Sequence, residues 1–146
     1  MIGCEGAPAI YTPTGGGYLG ADISPKNSWS VRGNLANPPA AVDGNLATFA
    51  RTDYAYRGAE LTIDLKKVCL FQTVIIDHGS REHEHCRRTA VATSVDGAIF
   101  VDRYAAPGTR RVTVLCLPGP VLARYLRLRA EVPGPRPWSI AEVYVQ

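Results

Sequence analysis

The chain is expected to fold as an all-β domain, a sandwich or barrel of short strands. In Ala59-Glu60-Leu61-Thr62-Ile63-Asp64-Leu65, Leu61, Ile63 and Leu65 alternate with Thr62 and Asp64, the period of a half-buried strand. Further along, short apolar segments are separated by Asp96-Gly97, Pro107-Gly108 and Pro118-Gly119-Pro120, residue pairs that turn a chain. No window keeps a 3.6-residue apolar period long enough for a substantial helix.

Residues 1–20 form a Gly/Pro-rich lead-in without any period, and Gly15-Gly16-Gly17 marks it as flexible or tightly turned. Within it, Met1-Ile2-Gly3-Cys4 has the Ile-Gly-Cys tripeptide found at the cysteine of a bacterial lipoprotein signal. A first strand is expected around Trp29-Ser30-Val31, followed by a loop at Ala40–Thr48 and the strand ending at Leu65. Val68 to Asp77 is more continuously apolar and reads as a strand buried on both sides. A polar insertion, His78 to Arg88, interrupts the pattern. Short strands follow near 89–95, 98–104, 110–116 and 121–129, with a last one at 139–145. There is no internal repeat, and residues 21–146 are read as one domain.

Of the 146 residues, 46% are hydrophobic, enough for a genuine core and too many for a disordered chain. The net charge of +3 is too mild, and its arginines too dispersed, to indicate a nucleic-acid partner. No apolar run is long enough to span a membrane, and residues 1–20 lack the basic start and apolar core of a signal peptide. The cysteines at 4, 69, 86 and 116 are even in number and contain no CxxC pair. Three disulfide pairings are open, as is the alternative of buried free thiols.

Asp43-Gly44-Asn45, with Thr48 close behind, can turn several oxygens toward one point, as a hard cation such as calcium requires. The spacing is not that of an EF-hand, and the same residues also make ordinary turns. His83-Glu84-His85-Cys86, with His78 upstream, has the ligand types of a zinc or copper site. On a strand, His83 and His85 would point the same way. The chain has no Gly-x-Ser-x-Gly elbow, His-Glu-x-x-His or phosphate-cradling glycine loop, so it is not read as an enzyme.

Five pieces fall in a recognisable order. They are Ala41-Val42-Asp43-Gly44-Asn45 with Thr48, Leu61 to Leu65, Ser94-Val95-Asp96-Gly97 with Phe100, Ala123-Arg124-Tyr125-Leu126-Arg127-Leu128, and Ile140-Ala141-Glu142-Val143. Over residues 21–146 the chain thereby resembles the discoidin domain, the coagulation factor V/VIII type C module. That domain is similar to the family 32 carbohydrate-binding modules. The resemblance implies a galactose-binding-like jelly-roll β-sandwich that binds a glycan rather than catalysing, placed outside the cell or in the periplasm and commonly accompanying a larger enzyme. It also implies a structural calcium, held by the side chains of Asp43, Thr48 and Glu142 and the backbone oxygens of Ala40, Asn45 and Ala141.

Departures from the family pattern limit what carries over. Ala50 and Glu60 stand where the family favours tryptophan, leaving Trp29, Phe49 or Trp138 to fill the volume. The histidine, arginine and asparagine that hold galactose in some members fall near Arg51, His78 and Ser80 here, so galactose specificity does not transfer. The fold implies instead that the loop bearing Arg51, Tyr54, Tyr56 and Arg57 meets the loop bearing His78, Arg81, His83 and His85. Arginine forks suit carboxylates and sulfates, and tyrosine faces suit sugar rings, so an anionic or sulfated glycan is the expected ligand. An adhesion or assembly role with a protein partner is the alternative. Membrane contact is not expected, because these loops carry Tyr and charge rather than clusters of Leu, Met or Trp.

Overall fold

The structure, a computed structural model, describes residues 20–146. The glycine-rich lead-in and Met1-Ile2-Gly3-Cys4 lie outside the described residues. Among the described residues eight strands follow one another: β1 (Ser30–Gly33), β2 (Ala50–Arg51), β3 (Glu60–Asp77), β4 (Arg88–Ser94), β5 (Val101–Pro107), β6 (Val112–Val132), β7 (Ser139–Ile140) and β8 (Glu142–Val145). Short 3-10 turns occupy Lys26–Ser28 and Pro38–Val42.

Two long bent strands generate both layers of the sandwich. The first part of β3, Leu61 to Asp64, pairs with β1, and its last part, Val74 to Asp77, pairs with β8. Antiparallel to it, the far end of β6 carries β4 and then β5. One layer therefore runs β1-β3-β6-β4-β5, and the other is β8-β3-β6. Lys66, at φ 72, and register shifts between Asp64 and Cys69 and between Phe71 and Thr73 bend the strand from one layer to the other.

The expected boundary at Pro118-Gly119-Pro120 is not a strand end. Leu117 to Pro120 bulge out of register where β6 passes Gln72, so the prolines sit where no ladder N–H is needed. Strands expected at 110–116 and 121–129 are thus one element, as are 59–65 and 68–77. The strand expected at 98–104 begins three residues later.

Alternation fills the interior. Leu61, Ile63 and Leu65 meet Leu126 and Leu128 from β6, all fully buried. Each such side chain contributes about 1.5–3 kcal/mol by leaving water. Trp29 and Trp138 are both in this core, while Ala50 is fully buried on the two-stranded β2–β7 ribbon. Cys69 and Cys86 are buried free thiols, and Cys116 is disulfide-bonded. Burial pushes the Cys86 thiol up to about 12, which removes it as a nucleophile or thiolate ligand at neutral pH. Among the described residues, no helix is long and apolar enough to cross a membrane.

Candidate functional site

The β2–β7 ribbon sets Arg51 directly opposite Ser139. The Ser139 N–H also donates to the Glu84 carbonyl at 3.0 Å, which brings the 78–88 insertion against the ribbon. Arg51 then grips the Glu84 carboxylate with both prongs, Nε to Oε1 at 2.9 Å and Nη2 to Oε2 at 3.1 Å. The Ser139 hydroxyl donates to Oε1, and Arg81 approaches Oε2 at 3.6 Å. Burial opposes ionisation of Glu84, but the Arg51 and Ser139 hydrogen bonds, with the charges of Arg51 and Arg81, outweigh it and hold the carboxyl below its usual range. The same hydrogen bond raises the pKa of Arg51. Arg81 also lies over the Phe49 ring, 5.2 Å from its centre. Gly79 permits this approach: its φ is 59°, and an added Cβ would stand 2.9 Å from the Ala141 Cβ and 3.0 Å from the Leu46 oxygen.

The other expected residues divide. Tyr54 is 67% exposed and tilts against Tyr56, with ring centres 5.3 Å apart. Tyr56 packs on the core and donates to the Asn34 carbonyl. Arg57 leaves this cluster and lines a furrow on the outer face of the five-stranded layer. His78 is not a surface ligand group, because it is fully buried. Its Nδ1 donates to the Ser139 carbonyl at 2.7 Å, and its Nε2 meets the Thr113 hydroxyl at 2.8 Å. Burial lowers its pKa, so the ring is neutral and Nε2 accepts from Thr113. His83 is exposed beside Glu82, 3.6 Å away, and Glu82 is also held by Arg110. His85, 6.0 Å from His78 between ring centres, donates from Nδ1 to the Cys86 carbonyl. Among the described residues, no three His, Cys, Asp or Glu side chains gather to hold a metal, so the zinc or copper arrangement is absent from them.

At the Asp43 loop, Oδ1 accepts the Asn45 N–H at 2.9 Å, while the Thr48 hydroxyl touches both Asp43 Oδ2 and the Asn45 carbonyl, the latter at 3.0 Å. One hydroxyl has one hydrogen for these two oxygens, so the oxygens are crowded as ligands of a hard cation would be. Glu142, 1% exposed, accepts the Gly44 N–H at 3.0 Å and the Lys26 ammonium at 2.8 Å. Lys26 also sits 3.9 Å above the Tyr144 ring. Ala40 and Ala141, whose carbonyls complete the expected set, are both buried. The donor types fit calcium. On the Glu142 side, however, an ammonium already supplies a positive charge.

Residues 23–143 match the F5/8 type C domain model. The chain belongs to this family. Solved structures with the same fold include a family 32 carbohydrate-binding module of Clostridium perfringens in complex with GalNAc-β-1,3-galactose. It is 16% identical, with TM-score 0.73, over 83% of this chain and 96% of that one. The family 32 module of C. perfringens NanJ, in complex with galactose, is 17% identical with TM-score 0.71, over 83% and 95%. A chitosan-binding module from a Paenibacillus chitosanase/glucanase, in complex with chitotriose, is 17% identical with TM-score 0.69, over 86% and 97%. No curated protein matches the chain in sequence.

In this F5/8 type C domain, the groups that organise the loop cluster include two absent from the expected site, Glu84 and Ser139. Glu84 lay inside the His-rich insertion, where its neighbours suggested a metal. An acid between two arginine-bearing loops was the available signal. Arg51 and Arg81, both expected as ligand groups, converge instead on one carboxylate, because burial of Glu84 requires a counter-charge.

Proposed function

We propose that this domain is a non-catalytic glycan-binding module whose ligand docks on the loops around Arg51, Tyr54, Arg81, Glu84 and His85. The observation carrying this reading is the fixed Arg51–Glu84–Arg81 cluster, with the exposed Tyr54 ring three residues beyond Arg51 in the chain. Guanidinium N–H groups and carboxylate oxygens in set positions can satisfy neighbouring sugar hydroxyls, and the tyrosine gives the ring's apolar face a flat contact. The likeness to modules solved with galactose, GalNAc-galactose and chitotriose supports the glycan class. Because Glu84 neutralises much of the arginine charge, these loops suit a neutral glycan better than an anionic or sulfated one. Calorimetry against galactose, N-acetylgalactosamine and chitotriose tests the reading. Tyr54→Ala should weaken the tightest of them by about tenfold or more without changing the fold. No binding of any neutral sugar to the wild type would overturn it.

The same reading places the domain outside the cell or in the periplasm, as part of or alongside a larger enzyme. It assigns a structural calcium to the Asp43–Glu142 cluster. Two carboxylates against the single Lys26 ammonium leave a net negative site, and calcium would bind there in exchange for Lys26. What the ion supplies is a tie between the Asp43 loop and β8. A protein partner is the second reading, favoured by one observation. Val95, Ile99, Val101 and Leu122 line a shallow recess and are all exposed, an apolar grouping of the kind that protein contacts cover.

A further inference from the structure

The outer face of the β1-β3-β6-β4-β5 layer carries a furrow of about 450 Å³ lined by Arg57, Arg103, Arg127 and Arg129. Its shape follows from register. The middle strand β4 presents Ala90 and Ala92, which pair with Arg129 and Arg127 of β6 on one side and with Ala105 and Asp102 of β5 on the other. Alanines along β4 make a low floor, and the long side chains of its neighbours make walls. Arg127 and Arg129, two residues apart on one strand, face the same way about 7 Å apart. Arg57 reaches in from the loop that donates the Gly58 N–H to the Ala130 carbonyl.

The charge balance is uneven. Four guanidiniums line the furrow against two carboxylates, Asp102 and Glu131, and Glu131 is held by Arg88 at 2.8 Å. Among the described residues, Arg57, Arg103 and Arg129 make no ion pair; Arg103 donates only to the Thr93 hydroxyl. Arg127 is shared between a long 3.9 Å approach to Glu60 and the face of Phe100, 4.5 Å from its centre. Neighbouring arginines, three of the four without an acid partner, are an arrangement for carboxylate or sulfate groups, two of whose oxygens can accept parallel N–H bonds from one fork. The exposed Tyr104 and the alanine floor provide apolar contact for a sugar ring.

We propose that this furrow is a second glycan site, selective for sugar chains bearing carboxylate or sulfate groups and separate from the loop site. The proposal rests on the reading of the domain as a glycan-binding module. It places the anionic ligand on the sheet face and the neutral one at the loops.

The test is calorimetry at one fixed moderate salt concentration with three probes: an oligogalacturonate, a sulfated dextran oligosaccharide and the neutral dextran oligosaccharide. At least one anionic probe should bind the wild type and the neutral dextran should not reproduce it; whichever of the two binds tighter identifies the preferred group. Arg57→Gln/Arg129→Gln should weaken that binding by about tenfold or more. Ala90→Leu, which fills the floor without altering charge, should do the same. Tyr54→Ala, at the loops, and Lys67→Gln, a charge removed elsewhere, should each leave it within about twofold. The proposal is overturned if neither anionic probe binds, if Tyr54→Ala abolishes their binding, or if Lys67→Gln weakens it as much as the furrow variants do. Retention of neutral-sugar binding at the loops would mean that only the furrow assignment had failed, whereas its loss as well would remove the module reading too.

Discussion

Glu84 shows how one residue couples the loops to pH. Its folded pKa lies below the ordinary value, so the stability it contributes is fully present above the unfolded pKa and is lost as pH falls through the folded one. Thermal unfolding followed from pH 7 downward should therefore show a loss beginning near pH 4, and Glu84→Gln should flatten that segment of the profile. An unchanged profile would mean the carboxylate does not tie the loops together. Lys26 is the second residue with a separable role. Lys26→Met leaves the Glu142 carboxylate buried without its ammonium, and should lower the melting temperature in EDTA by roughly 5–10 °C. Calcium should raise the melting temperature of the wild type and restore most of the variant's loss. Identical wild-type melting in EDTA and calcium would contradict a calcium site there.

Among the elements, the bends of β3 and β6 decide how two strands serve two layers. Pro118 sits in the unpaired bulge opposite Gln72, so Pro118→Ala should change stability by no more than about 0.5 kcal/mol despite lying within a long strand. Gly79 is the opposite case. Gly79→Val combines a left-handed backbone with contacts to Ala141 and Leu46 that an added Cβ cannot avoid, and should cost more than about 2 kcal/mol in a chemical denaturation series. It should also loosen the approach of the insertion to the Asp43 loop. Element existence was readable because Leu61, Ile63 and Leu65 alternate with polar neighbours. Element continuity was not, since a proline-glycine-proline run signals a turn locally, and only the register with β3 shows that the strand resumes.

Across the whole molecule, the order of five short motifs revealed the fold, and the family match over residues 23–143 agrees with it. The candidate site was legible only in part. Arg51 and Arg81 do come together, but the acid they share lies 33 residues from Arg51, a pairing that no local pattern displays. His78 looked like a ligand because it opens a polar insertion. Its partners, Ser139 and Thr113, come from two other strands and turn it into a buried strut. Arg57 belonged by sequence with Tyr54 and Tyr56, yet the chain turns at Gly58 and gives it to the sheet face. Alternation of Leu126, Arg127, Leu128 and Arg129 held the information about that face, as the outward half of a strand whose inward half is core.

If the loops around Glu84 bind a neutral glycan, their backbone amides must respond to it. Amide chemical-shift mapping during titration with the tightest-binding neutral sugar reads that response residue by residue. Perturbations should cluster at Arg51, Tyr54, Arg81, Glu84 and Ser139, with the strand residues Ala90, Arg127 and Arg129 unmoved. Perturbations confined to the sheet face or to the Val95–Val101 turn, or none at saturating sugar, would contradict binding at the loops.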